Sequence, residues 1–390
     1  MRSPRGEFSL FSAVPPGEGD DVTTDRRDIR AFLERESTRG LFTSEVDTWL
    51  SSHSPEFSRA LGAAGFIGMT WPVEYGGRAA SDAQRLAVIE ELLAAGAPVA
   101  AHWFADRQIG PSLLRQGSDE QRQAFLPPMA RGELYFCIGM SEPDSGSDLG
   151  SVRTNAGRVA DGWRVNGSKT WTSHADRAHH MLALVRTGAP TLPHREALTQ
   201  LIIDMSSPGI TVRPIRMLDG REDFCEVFFD DVFVPDTRVL GRVGAGWKQV
   251  LGELGFERSG PERFLSTFPL ISALSASGAS SDYVRTKAGE LVARLVVLRA
   301  MTARVNTRLG DATAPAFAAA VVKDLGTAWE LDSLSLAGAW LSEVESEPRA
   351  EDELARLYAA ALAHSPSFTL RGGATEVMRD IIARGWESTL

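Results

Sequence analysis

The sequence predicts an α+β protein in three parts: an N-terminal α-helical domain at residues 1–134, a middle antiparallel β-barrel domain at 135–240, and a C-terminal α-helical bundle at 241–390. Three observations carry that prediction. Apolar residues recur at helical spacing through the first third of the chain. From Leu134 to about Leu240 the period shortens to brief β-like runs separated by turn residues. Helical spacing then returns after Trp247. At 390 residues the chain is long enough for two or three domains with large cores.

Residues 1 to about 25 are rich in Pro, Gly and Asp, a composition expected to be loosely ordered. Helix follows to about Ala64, with Ile29, Phe32 and Leu33 on one face and Trp49 and Leu50 opening a second apolar patch. Residues 65–77 contain a proline and paired glycines and read as a loop. Residues 81–95 form a helix with Leu86, Ile89, Leu92 and Leu93 on its apolar side. Helices at 109–116 and 119–130 come next, the second capped by Ser118 or Asp119. Strand candidates are 136–140, 163–165, 180–185, 201–204, 211–215 and 226–234, with turns at Ser207-Pro208-Gly209 and Asp219-Gly220. Residues 187–197 read as a surface loop and 241–247 as a glycine-rich hinge. One helix then begins around Val250, Leu251 and Leu254, and others occupy 291–305, 317–340 and 353–364.

Composition excludes some function classes. Hydrophobic residues at 43% and charged residues at 24% are ordinary for a soluble globular protein. A net charge of −10 argues against a nucleic-acid-binding scaffold, which presents a basic surface. The two cysteines, Cys137 and Cys225, lie in apolar strand-like runs and read as buried free thiols of a reducing compartment. Metal-ligand spacing is absent. The N-terminus lacks the apolar core of a signal peptide, and no apolar run approaches the roughly 20 residues that span a bilayer, so a cytoplasmic location without membrane attachment is expected.

The stretch from Tyr135 to Ser173 holds the densest chemistry. Cys137-Ile138-Gly139-Met140-Ser141-Glu142-Pro143-Asp144-Ser145-Gly146-Ser147-Asp148 is a short apolar strand entering a loop of small and acidic residues. Such residues favour turns and expose many backbone N–H groups and hydroxyls together. Asn166-Gly167-Ser168-Lys169-Thr170-Trp171-Thr172-Ser173 reads as the turn and return strand of a hairpin, with Asn166-Gly167 as a type I′ signal. It delivers an indole and several hydroxyls to one end of a sheet.

Ser-Glu-Pro-x-x-Gly-Ser-Asp followed by Asn-Gly-x-Lys-x-Trp resembles the flavin-binding signature of the acyl-CoA dehydrogenase family. Trp71-Pro72-Val73-Glu74-Tyr75-Gly76-Gly77 is similar to a further family segment near the active site, and the resemblance extends over nearly the whole chain. It implies the helical, β-barrel, helical architecture. It also implies removal of an α proton and a β hydride from an acyl thioester, with FAD accepting the hydride at N5 because no side chain can. The thioester carrier is CoA or an acyl carrier protein. The resemblance further implies a homodimer or homotetramer and an electron-transferring flavoprotein as acceptor.

By the same resemblance, Met140, Ser141 and Ser147 line the flavin and thioester region, and Trp171 and Ser173 cover the ring and bond N5. Ser173 stands where relatives usually carry Thr. The bland alternatives are loop caps for the serines and core packing for Trp171. Gly372 occupies the place of the Glu that serves many relatives as base. Other branches carry the base on an earlier helix as Glu-Arg, and this chain has Glu257-Arg258 there. Glu257 is therefore the expected base, also touching substrate, with Arg258 as its orienter. A Glu in an apolar pocket rises toward a neutral pKa, which suits proton abstraction. A surface ion pair is the alternative for Glu257, and Glu253, one turn earlier, is its competitor.

Gly372, Gly373, Thr375 and Glu376 match a cofactor-binding segment, where glycine permits close backbone approach. Arg371 could meet a phosphate or be solvated. Three departures mark a divergent branch. Residues 268–287 lack the family's Arg-x-x-Phe-Gly, the stretch 275–282 looks loop-like, and Gly260-Pro261 should kink a helix that is continuous elsewhere. A silent or half-active subunit of a hetero-oligomer, and an oxygen-using flavoenzyme on the same fold, are the competing readings.

Overall fold

The structure, a computed structural model, describes residues 19–189, 191–277, 281–306, 316–342 and 348–387. The expectations for residues 1–18, and for 278–280 within the Ser/Ala/Gly-rich stretch, lie outside the described residues.

Helices come first: α1 (Asp20–Thr38), α2 (Thr48–Ser51), α3 (Pro55–Ala63), α4 (Asp82–Ala94), α5 (Ala100–Phe104), α6 (Gly110–Gln116) and α7 (Asp119–Ala130). A π turn, Ala105–Ile109, joins α5 to α6. Both α4 and α7 start with a reciprocal capping box, Ser81 with Gln84 and Ser118 with Gln121. Each box satisfies two backbone donors that a helix start leaves open.

Seven strands follow: β1 (Phe136–Gly139), β2 (Asn155–Val159), β3 (Gly162–Ser173), β4 (His180–Arg186), β5 (Leu198–Asp204), β6 (Ile210–Ile215) and β7 (Phe224–Pro235), with a short α8 (His194–Ala197) before β5. They form one curled sheet in the order β1-β4-β2-β3-β7-β6, with β5 paired to β4. Most pairings are antiparallel; β1 runs parallel to β4, and β2 meets β4 in parallel at Asn155 and Arg186. The remaining helices are α9 (Gly246–Ser259), α10 (Phe268–Ala276), α11 (Asp282–Asn306), α12 (Ala316–Leu341), α13 (Pro348–Phe368) and α14 (Thr375–Glu387). The helical, sheet, helical order is the predicted one.

Local expectations fail at several points: α1 begins at Asp20, inside the stretch expected to be loosely ordered to about residue 25, and α8 lies within the stretch read as a surface loop. Asn166-Gly167 is not a hairpin turn; β3 runs straight through it, and the reversal lies at Ala160-Asp161, after the unpredicted strand β2. Asp161 takes a left-handed φ of 60° there. The long β3–β7 ladder overrides the local turn preference, absorbing the pair as a register shift between Val165 and Gly167. Asn166 Oδ1 accepts from Asp231 N at 2.9 Å, and Gly167 sits at φ +140°, where a Cβ would lie 2.7 Å from Thr154 Cα. At Gly260-Pro261 the chain does more than kink: α9 ends at Ser259 and a 3₁₀ turn, Pro261–Arg263, follows.

The chain divides into two compact units: residues 1–48, 81–97 and 258–390 in one, residues 49–80 and 98–257 in the other. In the second, β4 is buried on both faces. Met181, Ala183 and Val185 join a core with Val165, Val227 and Val232, while Leu182 meets Ile109, Leu113 and Phe125 from the helices. That explains its unbroken apolar run. The helix α9 seats Val250, Trp247 and Leu254 against Val152, Leu184 and Leu198. Cys137 and Cys225 are buried free thiols in this core. In the first unit, α1 and α4 are tied by Arg26, which bonds Glu90 at 2.7 Å and Glu91 at 2.9 Å.

Candidate functional site

The two sequence clusters in the middle of the chain meet in space. Ser141 O accepts from Thr170 N at 3.0 Å, so the loop after β1 lies on the last third of β3. The Lys169 ammonium, fully buried, donates to Met140 O at 3.1 Å and to Glu142 Oε1 at 2.8 Å. The same carboxylate accepts from Arg153 N at 2.7 Å and Thr154 N at 3.0 Å. Burial pushes Lys169 down to about 8 while the Glu142 charge resists; burial also works against Glu142, but Lys169 and the two backbone donors hold it below its ordinary value. This pair was quoted in the motifs but not assigned a role. The signal was there: one cation and one buried anion among otherwise small residues.

Beyond the Lys169–Glu142 pair the loop closes on itself. Glu142 and Ser145 exchange backbone bonds, and Ser145 Oγ donates to Asp148 O at 2.8 Å. Ser147 is exposed, and Met140 and Ser141 are half-buried. On β3 a second register shift falls between Lys169 and Thr172. It leaves Trp171 at φ +56° with 57% of its surface exposed, edge-on to Phe224 at 6.0 Å. A bulky aromatic in the left-handed region is a strained choice, and such strain is often kept at functional positions. Thr172 and Ser173 turn inward, and Thr172 Oγ1 is buried without a hydrogen-bond partner. The surface so formed carries an indole, two serine hydroxyls and a loop of small polar residues.

Glu253 and Glu257 project from α9 one turn apart, and the structure separates them. Glu253 is 2% exposed, accepting from Ser112 Oγ at Oε1 and from Gln200 Nε2 at Oε2, both at 2.9 Å. Burial pushes its carboxyl up to about 7 against those two bonds. Both of its oxygens are engaged by neighbours in the interior. Glu257 is only half-buried.

The other candidates lie in the first unit. Gly372 and Gly373 both take left-handed φ, +70° and +113°, in the turn before α14. A Cβ on Gly372 would stand 2.6 Å from Arg263 Cζ, and Arg258 Nε donates to Gly372 O at 3.2 Å. Arg258 thus reaches the glycine turn, a contact not foreseen for an orienter of Glu257. Thr375 opens α14 with its N–H on Thr369 O at 2.9 Å, and Glu376 is exposed in the first turn.

Arg371 meets neither expectation. It is enclosed by Asp47, by Glu330 at 3.0 and 3.1 Å, and by the Phe368 ring, 4.4 Å from its Cζ. Two buried carboxyls share this one guanidinium, so one of them holds its proton more tightly. Burial, together with the Asp47 charge and against Arg371, carries Glu330 up to about 7. Burial acts on Asp47 as well, but Arg371 and His364 outweigh it and keep that carboxyl below its ordinary value. Nothing in the sequence near Arg371 signals partners 324 and 41 residues away.

Comparison with known proteins gives concordant matches. Residues 21–133 match the family model "Acyl-CoA dehydrogenase, N-terminal domain", and residues 137–232 match "Acyl-CoA dehydrogenase, middle domain". Acyl-CoA dehydrogenase IpdE1 of Mycolicibacterium smegmatis is 34% identical over 346 residues, covering 84% of this chain and 86% of that protein. The solved structure titled "Tcur3481-Tcur3483 steroid ACAD" superposes with a TM-score of 0.80 at 25% identity, covering 94% of this chain and 97% of that one. The ChsE4-ChsE5 complex of Mycobacterium tuberculosis gives 0.76 at 27% identity, covering 95% and 98%.

Proposed function

We propose that this chain, which belongs to the acyl-CoA dehydrogenase family and is thus an oxidoreductase, desaturates an acyl thioester between its α and β carbons with Glu257 as the base. FAD, the flavin implied by the family, supplies when bound the hydride acceptor that no side chain provides. The residues present fit such a ring. Trp171 offers an exposed indole face, Ser141 and Ser173 offer hydroxyls, and the buried Thr172 hydroxyl lacks a partner. In this reading Met140, Ser141, Trp171 and Ser173 hold the flavin in the sheet unit. Gly372 and Gly373, in the turn before α14, and Thr375 and Glu376, at its start, reach the flavin bound with a neighbouring subunit. Ser147, exposed at the loop tip, faces flavin and thioester.

The observation that carries the choice of base is the conformation of Gly372. At φ +70° the position favours glycine, and a side chain there would start against the Arg263 guanidinium. This supports the reading that the position does not carry the base here. Glu257 remains, half-buried on α9, with a carboxylate able to take the α proton. The product is the 2-enoyl thioester, and the carrier is CoA, the carrier in the names of the relatives, or an acyl carrier protein. An electron-transferring flavoprotein is the proposed acceptor. Glu257→Gln should abolish anaerobic bleaching of the flavin by substrate while FAD stays bound; equal bleaching in mutant and wild type would remove Glu257 from the mechanism.

A second reading has its own support. Two similar solved structures are titled as pairs of different chains, and residues 268–287 lack the segment by which relatives touch a neighbour's FAD. This chain would then work beside a related but different subunit instead of in a homodimer or homotetramer. Light scattering of the chain purified alone, with its flavin content, separates the two. A flavin-loaded oligomer that bleaches supports the homo-oligomer; a flavin-poor protein restored by a second dehydrogenase chain supports the pair.

A further inference from the structure

The fold puts more acid on α9 than the proposed reaction consumes. Glu253 lies four residues before Glu257, so the two side chains leave the same face of the helix. Its carboxyl is the point where three elements converge: α9 supplies it, Ser112 of α6 donates to Oε1, and Gln200 of β5 donates to Oε2. Arg115, one turn after Ser112, donates through Nη2 to Ser112 Oγ at 3.4 Å. A carboxyl that only cemented the fold could be replaced by an amide without chemical consequence.

We propose that Glu253 is a positioning residue for the base, tying α9 to α6 and β5 and placing a second titratable carboxyl one helical turn from Glu257. The inference rests on the assignment of Glu257 to proton abstraction. Its physical content is a bonded frame: Glu253 ties α9 to α6 and β5, and Glu257 rides on the same helix. The Glu257 charge is the last and smallest influence on Glu253. The groups facing Glu253 set where its own step falls. Burial raises it, the bonds from Gln200 and Ser112 and the Arg115 charge lower it, and the Glu257 charge raises it. The balance stands at about 7, where a step alters the charge beside the base within the physiological range. The strand β5 contributes only the neutral Gln200 to this set.

The test reads the carboxyl directly. In infrared difference titration through neutral pH, subtracting the spectra of Glu253→Gln, in which the Glu330 carboxyl titrates alike and cancels, should leave the flavin-loaded wild type with a buried protonated-carboxyl stretch that vanishes near pH 7. Glu253→Gln can keep both bonds, with Ser112 accepting instead of donating, and should lose that band while unfolding as wild type does. Ser112→Ala removes one bond that favours the charged form and should move the midpoint to higher pH. Glu257→Gln removes the like charge and should move it slightly to lower pH. The pH profile of anaerobic flavin reduction should carry an inflection at the same midpoint in wild type and none in Glu253→Gln. A midpoint that ignores Ser112→Ala, or a Glu253→Gln profile that superposes on wild type, overturns the inference. The assignment of the base fails separately, if Glu257→Gln still bleaches.

Discussion

The loop after β1 and the glycine turn before α14 both present backbone groups suited to a ligand, yet they are held in different ways. The loop is pinned by its own motif. Glu142 lies within it, Lys169 lies within the second cluster, and the pair bonds at 2.8 Å. The turn is pinned by strangers. Asp47 and Glu330 grip Arg371 from places with no motif of their own, and Arg258 donates to Gly372 O. The first arrangement ties scaffold to chemistry, so one cannot drift without the other. The second holds its turn through contacts far away in sequence, so the turn can hold a left-handed glycine at Gly372 without any local motif.

The largest expected effect tests the first half of that contrast. Lys169→Met leaves Glu142 buried with only the Arg153 and Thr154 backbone donors. Breaking a buried pair from one side costs about 3–5 kcal/mol, and the surviving donors place this case near the lower end. Denaturant unfolding should show a loss of about 3 kcal/mol, with flavin released at lower denaturant than in wild type. A loss under about 1 kcal/mol would mean the two clusters are joined by backbone alone.

The second half is tested by pH. Glu330 holds its proton to about 7 in the folded chain, against an ordinary 4.5. Between those values the folded state binds a proton that the unfolded state has released, so stability falls as pH rises through that window. Glu330→Gln should flatten that fall by about 1–3 kcal/mol, measured as unfolding free energy across the window. The fall should not vanish, because Glu253, also raised to about 7, contributes a slope of the same sign. An unchanged slope would show that the Arg371 cluster stays fully ionised.

Gly372→Ala sharpens the comparison further. It places a Cβ at φ +70° beside the buried Arg263 guanidinium. The left-handed conformation alone should cost about 1–2 kcal/mol. An alanine at the exposed Gly146, where a Cβ would meet nothing within 4 Å, should cost little. If both substitutions unfold alike, the turn is not held in the conformation described.

The same difference governs what the sequence revealed. The helical, sheet, helical order was legible because hydrophobic period is a local signal, and the capped starts of α4 and α7 were legible because a capping box spans four residues. The Asn166-Gly167 hairpin was misread for the converse reason. A dipeptide preference worth at most a few kcal/mol met a 12-residue strand paired along most of its length to β7. The contact between the loop and the strand carrying Trp171 was legible because motif and scaffold coincide there. The Arg371 cluster could not, since Asp47 lies 324 residues away and its approach is decided by tertiary packing.

Trp171 should give the smallest effect on stability and the sharpest on ligand. Its side chain is mostly solvent-exposed, and its one aromatic neighbour, Phe224, touches it edge-on. Truncating an exposed side chain changes stability by about 0.5 kcal/mol or less. Here even the sign is open to the backbone, because an alanine at φ +56° keeps the strain and loses the ring contact. The expected outcome for Trp171→Ala is an unfolding midpoint near that of wild type with faster loss of flavin absorbance on dialysis. A midpoint that collapses would make the indole a structural member of the sheet edge. Unchanged flavin retention in a stable variant would remove it from the cofactor site, and the strain at this bulge would then need another purpose.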